Sequence, residues 1–515
     1  MKHLISGLLI LSSLSVFAGN LSDSIPYPFY EVQKTVDGKD NKIQLLDHGV
    51  ASLQKRIDII RNAKTNIEVE YFIYATDTSA KLLTLELVDA AKRGVKVRML
   101  IDKSMAVFVF NEFYAKALSV HGIEVSYYNA SPLIQVSSIN FRNHRKLISV
   151  DDKFAITGGR NVEDDYYDLS PDFNFLDRDI YVEGPIVKTI RDSFDEYFNS
   201  MVTEKAILPE KPASIITKKV KRLGGKVAYN KEVDNSKNVK IYEDKIKVAE
   251  DFLVRTSDDE TLLQSISSEG TPILNLTEIY SCPEITYSTD RPGGTFWRRL
   301  VDDYSDDYRY LRKTLFDKVN AVDKGVLLSS PYLINNGYSQ SLMKSLMDRG
   351  LDITTYTNSL ASTDAVYVAA NLYKDISAWA KSGINIYLHS GEYIDQDGIV
   401  NKKVKTAKWG THSKTHIYDY IDDTQSEIMV GTYNIDNRSN HYNSEMAIFC
   451  KGNIRLTKEL RYSMLSRMNE GMKVDSDLTA TTKTGKKVEI YGANKDDLML
   501  MRLISLPSWL LRPLL

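Results

Sequence analysis

Two stretches of this chain carry histidine and lysine at the same spacing. Both read His-x-Lys-x4-Asp, with His144, Lys146 and Asp151 in the first stretch and His412, Lys414 and Asp419 in the second. Residues two apart on a β-strand point to the same side, so each imidazole would project beside an ammonium group. The lysine can neutralise a phosphate while the histidine attacks phosphorus or protonates a leaving oxygen. The spacing therefore predicts phosphate-ester chemistry.

A second motif follows each of these stretches. Residues 158–161 and 431–434 both read Gly-small-x-Asn. With eight histidines in the chain, roughly 0.05 matches to His-x-Lys-x4-Asp are expected by chance. One match could be a histidine and a lysine on the surface of an edge strand. Two matches, one in each half and each with the same sequel, indicate a duplicated functional motif.

The elements that must position these residues also repeat. Before each motif, hydrophobic periodicity predicts strands that alternate with helices. We predict strands over 66–74, 95–102, 123–128, 325–332, 351–356 and 384–388, and helices over 48–63, 79–93, 110–121, 337–348 and 364–380. This order predicts a duplicated α/β unit, with a parallel or mixed sheet in each half.

Length and composition fit a globular protein of two or more domains. The chain has 515 residues, of which 43% are hydrophobic, and a net charge of −2, which does not favour bulk nucleic-acid binding. The predicted organisation is a signal peptide at 1–18, a first domain at 19–202, a Lys-rich inserted or linker segment at 203–272, a second domain at 273–475 and a C-terminal extension at 476–515.

The N-terminus has the pattern of a secretory signal peptide. Lys2 and His3 precede an apolar run at 4–17, and Ala18 ends a small-residue cleavage site. The run is short for a membrane span, so an uncleaved anchor is the less favoured alternative. This pattern predicts export to the periplasm or out of the cell.

The two cysteines, Cys282 and Cys450, leave two interpretations open. In an oxidising compartment they can form one disulfide. Cys450 also ends an apolar run, where a buried free thiol fits equally well. No Cys/His cluster has zinc-ligand spacing, so we expect no metal and no cofactor.

Two peripheral segments each allow two interpretations. The lysines between positions 203 and 231 indicate either a solvated arm or a patch that meets anionic lipid headgroups. Residues 273–286 become apolar again and are predicted to rejoin the second domain. The apolar tail at 498–515, with Trp509, either lies in the plane of a membrane interface or packs against the body of the protein.

The duplicated motif resembles the HKD motif of the phospholipase D superfamily, and the resemblance covers about residues 50 to 470. It implies two duplicated α/β sandwich units whose motifs meet across a pseudo-twofold axis in one active site. It also implies that His144 is the nucleophile, which forms a phosphohistidine, and that His412 is the acid and base.

The same resemblance assigns roles to the other motif residues. Lys146 and Lys414 would bind the non-bridging oxygens of the substrate phosphate, with Asn161 and Asn434 donating beside them. The glycines of the second motif would let the backbone approach the ligand. Asp151 and Asp419 complete the catalytic motif but are expected to hold the local fold rather than touch substrate.

Each catalytic imidazole also needs an acceptor on its second nitrogen, which selects the tautomer. Matching the family pattern places Asp177 opposite His144 and Glu445 opposite His412. Both carboxylates lie downstream of the Gly-small-x-Asn motif of their own half.

The stretches T-G-G-R-N-V-E-D-D-Y-Y and G-T-Y-N-I-D-N-R-S resemble those of bacterial cardiolipin synthases, particularly the C-type enzymes. This implies phosphatidyl transfer onto phosphatidylglycerol or, where water competes, phospholipase D hydrolysis. The expected partners are a phospholipid, such as phosphatidylglycerol or phosphatidylethanolamine, and a membrane surface, with no nucleic acid. One alternative is a secreted phosphodiesterase that cleaves nucleic acid. The other is a non-catalytic lipid-binding protein, and the intact motifs argue against this second alternative.

Overall fold

The structure is a computed structural model. It describes residues 30–34, 40–103, 109–129, 141–221, 227–293, 309–334, 337–394, 399–477, 479–490 and 499. The predicted signal peptide and, apart from Met499, the apolar tail at 498–515 lie outside these residues. No helix in the described ranges has both the length and the apolar character that a membrane crossing requires.

Strands and helices alternate in each half, as the periodicity predicts. Strands β1 to β12 are Tyr30–Lys34, Asn41–Leu46, Asn66–Tyr71, Lys96–Asp102, Glu124–Tyr128, Leu147–Val150, Phe154–Gly158, Phe173–Leu176, Asp179–Glu183, Thr203–Lys205, Ile215–Lys221 and Val227–Asp234. Strands β13 to β24 are Ile279–Cys282, Glu284–Thr289, Gly325–Ser329, Asp352–Asn358, Asn385–His389, Lys408–Thr411, Thr415–Tyr418, Glu427–Gly431, Met446–Lys451, Met472–Val474, Thr479–Thr482 and Lys487–Glu489. Helices α1 to α11 are Gly49–Asn62, Thr78–Lys92, Glu112–Ser119, Ile186–Phe198, Ser236–Phe252, Ser257–Leu276, Tyr310–Asn320, Gly337–Asp348, Val366–Lys381, Asn437–His441 and Ile454–Glu470.

Two large mixed sheets share one strand pattern. The first has the order β10-β5-β4-β3-β6-β7-β9-β2-β13, and the second has the order β1-β14-β21-β20-β19-β15-β16-β17-β22-β23-β24. In the first sheet β3, β4 and β5 are parallel, and β6 runs antiparallel to β3. In the second sheet β15, β16 and β17 are parallel, and β19 runs antiparallel to β15. The predicted duplication of one α/β unit is therefore confirmed.

The two units share a hydrophobic core. Alternate residues of a strand face opposite ways, so Leu147 enters this core while Ile148 packs into the core of the first unit. Each Leu or Ile removed from water here contributes about 1.5–3 kcal/mol. The shared core draws on both sheets and on α4 and α11, through side chains that include Leu147, Ile180, Ile190, Phe194, Leu327, Ile417, Val430, Ile448 and Leu460.

The two sheets exchange strands at their edges. Strand β1 pairs with β14 in the second sheet, although it precedes every strand of the first sheet in sequence. Strand β13 pairs with β2 in the first sheet, and the chain then crosses at Pro283 into β14. The expectation that residues 273–286 rejoin the second domain is thus wrong for β13. The local apolar pattern could not distinguish between two sheets that both need an edge strand.

A disulfide crosslinks the two sheets. Cys282 ends β13 in the first sheet, Cys450 lies in β21 of the second, and their Cα atoms are 5.8 Å apart. Both side chains are buried. The sequence allows either a disulfide or a buried free thiol at Cys450, and the structure contains the disulfide.

The predicted Lys-rich linker contains ordered elements. Strands β11 and β12 form an antiparallel hairpin, and α5 and α6 follow it. Helix α6 begins with a capping box formed by Thr256 and Asp259. Its Ile266 is buried in the core of the first unit. At Gly270 a side chain would come within 2.9 Å of Gln54, so the glycine permits close packing of α6 against α1.

Reduction of the disulfide should destabilise the protein. The bond joins residues 168 positions apart, and removing a crosslink of this kind typically lowers the free energy of unfolding by about 2–4 kcal/mol. Denaturant unfolding with and without dithiothreitol measures this difference. The control is the Cys282→Ser/Cys450→Ser variant, which should unfold at the reduced midpoint and ignore the reductant. An unchanged midpoint for the unaltered protein would contradict the crosslink.

Candidate active site

The two His-x-Lys motifs occupy equivalent places in the two units. Each precedes the strand that runs antiparallel to the first parallel strand of its sheet, which is β6 beside β3 and β19 beside β15. The side chains of both histidines and both lysines are buried. Each histidine contacts the opposite half of the chain, so the motifs meet at the interface between the units.

Parallel strand pairing across this interface aligns each histidine with a carboxylate. Strand β8 of the first half lies beside β18 of the second, with Leu176 opposite Thr411. The next residue pair in this register is Asp177 and His412, whose Oδ2 and Nδ1 atoms are 2.7 Å apart.

The same arrangement recurs around the first motif. An isolated bridge pairs Asn143 with Ser444, and the next residue pair is His144 and Glu445. The Nδ1 of His144 lies 2.9 Å from Oε2 of Glu445 and 3.1 Å from the carbonyl oxygen of Thr432. Each imidazole is therefore oriented by a carboxylate from the opposite half.

The expected pairing of Asp177 with His144 and of Glu445 with His412 is wrong. It assumes that each half orients its own histidine. The bridging strands instead join the end of β8 to the start of the second motif, and the segment before β21 to the start of the first motif. The four predicted residues are the ones that meet, but with their partners exchanged.

The two motif lysines lie against their histidines. Lys146 Nζ donates to the carbonyl oxygen of His144 at 2.8 Å. Lys414 Nζ donates to the carbonyl oxygen of His412 at 2.6 Å and lies 2.8 and 3.0 Å from its two ring nitrogens. Burial, together with the charge of Lys414, lowers the pKa of Lys146 to about 7, and burial lowers the pKa of Lys414 to about 8. The positive charge of Lys414 therefore acts on the ammonium group of Lys146.

Both histidines favour the neutral form in the free protein. Burial, reinforced by Lys414, lowers the pKa of His412 to about 4. Burial, together with Lys146 and Lys414, lowers the pKa of His144 well below its ordinary value. A neutral imidazole whose Nδ1–H donates to a carboxylate keeps a lone pair on Nε2. Such a group can act as a nucleophile or a base.

The two orienting carboxylates differ in their acidity. Burial raises the pKa of Glu445 to about 7, although Thr432 Oγ1 donates to it at 2.5 Å and Ser439 Oγ at 2.7 Å. Burial also acts on Asp177, but His412 and Lys414 outweigh it and hold the pKa of Asp177 well below its usual range. Asp177 is therefore ionised at neutral pH, whereas Glu445 changes its protonation state near neutral pH.

Gly159 makes room for a carboxylate. A Cβ atom at this position would lie 2.0 Å from Oδ1 of Asp177, so any side chain would displace the group that orients His412. We expected this glycine to admit the ligand, whereas its neighbour in the structure is Asp177. Thr432 is its counterpart in the second half, and there the side chain is used, because its hydroxyl donates to Glu445.

The two motif asparagines are not equivalent. Asn161 Oδ1 accepts the backbone N–H of Ile73 at 3.3 Å, and its Nδ2 donates to Tyr166 Oη at 2.9 Å. Asn434 is equally buried, but its Oδ1 has no hydrogen-bond partner among the described residues. The phosphate-binding role remains a prediction for both, and Asn434 is the one whose side chain is available.

The motif aspartates lie at the far ends of their strands, about 16 Å along the chain from the lysines. Asp151 accepts backbone N–H groups of Lys64, Thr65 and Asn66. Asp419 accepts those of residues 323 and 324. Each thus holds the turn before the first parallel strand of its sheet, which matches the local structural role expected from the sequence.

Aromatic contacts of both histidines were not found from the sequence. Phe72 packs edge-on against His144 with ring centroids 5.3 Å apart. Tyr166 and Phe175 contact the His412 ring at 5.1 and 5.0 Å. Tyr166 lies within the stretch 157–167 that carries the family resemblance, and Phe175 lies two residues before Asp177. Phe72 matches no motif, and no signal in the sequence indicates it.

Arg178 clamps the two halves beside the site. It directly follows Asp177 and is buried. Its guanidinium donates to Asp47 in the first half, and to Thr415 Oγ1 at 3.3 Å and Ser463 Oγ at 2.7 Å in the second. The clamp therefore fixes the backbone that carries both Asp177 and the second motif.

No group of three His, Cys, Asp or Glu side chains suited to a metal ion occurs in the described part of the chain.

Two α/β units with paired His-Lys motifs at their interface define the phospholipase D-like class of proteins. A family model described as "Cardiolipin synthase, PLD-like domain" matches residues 57–201 and 315–468, which together are more than half of the chain. The chain therefore belongs to this family.

The sequence similarity to known proteins extends over most of the chain. An uncharacterized protein of Helicobacter pylori is 26% identical over 445 residues, covering 82% of this chain and 78% of that protein. Cardiolipin synthase C of Escherichia coli is 24% identical over 429 residues, covering 78% of this chain and 79% of that protein. A phosphatidylserine synthase of Haemophilus influenzae has a similar fold, with a TM-score of 0.57 and 12% identity, covering 94% of this chain and 97% of that one. The predicted fold and family are confirmed, and the chain is a phospholipase D-type enzyme.

Substitution at Gly159 should separate catalysis from folding. In Gly159→Ala the new Cβ would displace the buried carboxylate of Asp177 from His412, so we expect kcat to fall by roughly 10²–10³-fold and the melting temperature to fall as well. The control is Gly94→Ala, where a Cβ meets nothing within 4 Å but the backbone φ of +92° disfavours a side chain; it should lower the melting temperature and keep its activity. Near-normal turnover by Gly159→Ala would show that Asp177 does not contribute to catalysis.

The site should give a bell-shaped pH profile for kcat/KM. Below about pH 7 the raised pKa of Glu445 leaves it protonated, so the negative charge that accepts the hydrogen bond from His144 Nδ1–H is lost. As pH rises through about 7 and then about 8, Lys146 and Lys414 lose the charges that attract phosphate. We therefore expect a maximum between about pH 7 and 8. A rate that is flat from pH 5.5 to 9.5 would contradict these assignments.

Proposed function

We propose that this enzyme transfers the phosphatidyl group of a phospholipid to an alcohol or to water through a phosphohistidine. The observation that carries the proposal is the buried cluster in which two histidine–carboxylate pairs, each made across the interface, enclose two lysines. Such a cluster provides a nucleophile, a proton donor and positive charge for one phosphodiester.

In the first step the phosphodiester binds with its non-bridging oxygens near Lys146 and Lys414. The Nε2 lone pair of His144 attacks phosphorus and forms a P–N bond. The P–O bond to the leaving alcohol breaks, and His412 Nε2–H protonates the departing oxygen. The anionic substrate and Asp177 both favour the imidazolium that this step requires, since opposite charges nearby raise the pKa of a histidine.

In the second step His412 acts as the base. It removes a proton from the incoming alcohol or water, whose oxygen attacks phosphorus and breaks the P–N bond. His144 then leaves as a neutral imidazole, which donates through Nδ1 to Glu445. The proton balance closes, because His412 gives one proton in the first step and regains one in the second.

The unequal carboxylates support this division of roles. An ionised Asp177 stabilises a charged His412, as an acid and base requires. Glu445, whose pKa burial raises to about 7, favours a neutral His144, as a nucleophile requires. The family resemblance assigns the nucleophile to the same half.

The substrate follows from the relatives. Cardiolipin synthase C of Escherichia coli matches 78% of the chain, so we propose a phosphatidyl donor that lies in a membrane and phosphatidylglycerol as an acceptor, with phosphatidylethanolamine as a further candidate donor. Hydrolysis by water would give phosphatidic acid from the same intermediate.

We also propose that the protein is exported. The N-terminal Lys2–Ala18 segment has the signal-peptide pattern. The disulfide between Cys282 and Cys450 supports this proposal, because such bonds persist in oxidising compartments.

The proposal is tested with purified protein and mixed micelles of phosphatidylethanolamine and phosphatidylglycerol. Chromatography of the products should reveal cardiolipin or phosphatidic acid, with activity that persists in EDTA because lysines supply the charge. His144→Ala and His412→Ala should each lose at least about 10³-fold in kcat. Nicking of plasmid DNA without lipid turnover would favour a nuclease instead.

A phosphatidyl ester of p-nitrophenol distinguishes the roles of the two histidines. This leaving group departs without a proton, so His412→Ala should release p-nitrophenol in a burst of about one equivalent per active site. His144→Ala should release none. The reverse result would exchange the nucleophile and the acid.

A further inference from the structure

A lysine-rich surface lies in the segment between the two units. We define the basic arm as strands β11 and β12 with helix α5, residues 215–221 and 227–252. These residues include eight lysines and six acidic residues, a net charge of +2 in a chain whose total is −2. The arm therefore carries positive charge that the catalytic proposal does not use.

The lysines of the arm are largely unpaired. Lys218, Lys219, Lys231, Lys237 and Lys240 are exposed, and none forms an ion pair with a carboxylate of the described residues. Lys218 and Lys231 lie directly opposite each other across the hairpin. Like charges in that position repel and weaken the strand pairing, so an external anion would stabilise the hairpin.

The hairpin also lacks internal support. Strands β11 and β12 form a sheet of their own, which pairs with no other described strand. An isolated two-stranded sheet is marginally stable in water. Binding of a ligand to this hairpin would therefore stabilise its strand pairing.

Aliphatic side chains accompany the lysines. Ile215 is 61% exposed, Ile241 43% and Val248 56%. Ile241 and Val248 lie seven residues apart on α5 and so share one face, whereas Ala249 on another face packs against Phe113. Exposed lysines mixed with exposed aliphatic groups are typical of segments that lie on a membrane surface.

We propose that the basic arm docks the enzyme on an anionic lipid bilayer. This inference rests on the proposed function, because a phosphatidyl substrate resides in a membrane. Charge complementarity selects anionic lipid, and the aliphatic residues enter the headgroup boundary. Single-stranded nucleic acid is the less suited polyanion, since its binding surfaces combine charge with aromatic stacking platforms. Among the side chains of the arm that the structure describes, the exposed apolar ones are the aliphatic Ile215, Ile241 and Val248.

The test is co-sedimentation with vesicles of phosphatidylcholine alone or with about 30% phosphatidylglycerol. The unaltered protein should bind the anionic vesicles, with affinity that falls as salt rises, and should ignore the neutral ones. Lys218→Glu/Lys231→Glu should bind the anionic vesicles at least tenfold more weakly. The matched control is Lys381→Glu/Lys486→Glu, which changes the net charge equally at exposed positions of the second half and should bind normally.

Activity on a short-chain phospholipid below its micelle concentration separates docking from chemistry. The arm variant should turn this soluble substrate over at the unaltered rate. An arm variant that binds anionic vesicles as tightly as the unaltered protein overturns the inference and leaves the proposed function intact. Lipid turnover absent from every form, despite vesicle binding, overturns the proposed function instead. Tighter binding of a labelled oligonucleotide than of vesicles, lost in the arm variant, also overturns the membrane assignment.

Discussion

The active site depends on two short parallel strand contacts across the interface between the units. The pairing of β8 with β18 aligns Asp177 with His412, and the bridge between Asn143 and Ser444 aligns Glu445 with His144. Because each imidazole takes its orienting carboxylate from the opposite half, neither half contains a complete catalytic pair. The shared hydrophobic core and the Arg178 clamp hold these contacts in register.

The duplicated motifs have diverged within a common frame. Gly159 leaves space for Asp177, whereas its counterpart Thr432 donates to Glu445. Asn161 is committed to protein hydrogen bonds, whereas Asn434 retains an unused acceptor among the described residues. The two halves also have unequal acid–base properties, because burial raises the pKa of Glu445 whereas His412 and Lys414 hold that of Asp177 low. A reaction that needs one nucleophile and one proton carrier requires such a difference.

The fold and the members of the site could be predicted from the sequence, because both depend on local signals. Hydrophobic periodicity located the parallel strands of each half, and motif spacing located His144, Lys146, His412 and Lys414. The partners of the histidines could not be predicted, since they depend on which strands meet across an interface, and spacing within one half carries no such information. The exchange of β1 and β13 between the sheets was missed for the same reason. Burial, which lowers the lysine pKa values, is likewise a property of the assembled units alone.

The exchanged edge strands constrain how the chain can mature. Strand β1 is made some 250 residues before its neighbour β14, which is itself flanked by β21, a strand that ends at Lys451. Contacts so distant in sequence form slowly. The N-terminal half therefore stays unfinished during synthesis, with its first strand lacking a sheet to join. Because each sheet takes an edge strand from the other half of the chain, neither sheet is complete until both halves have been made.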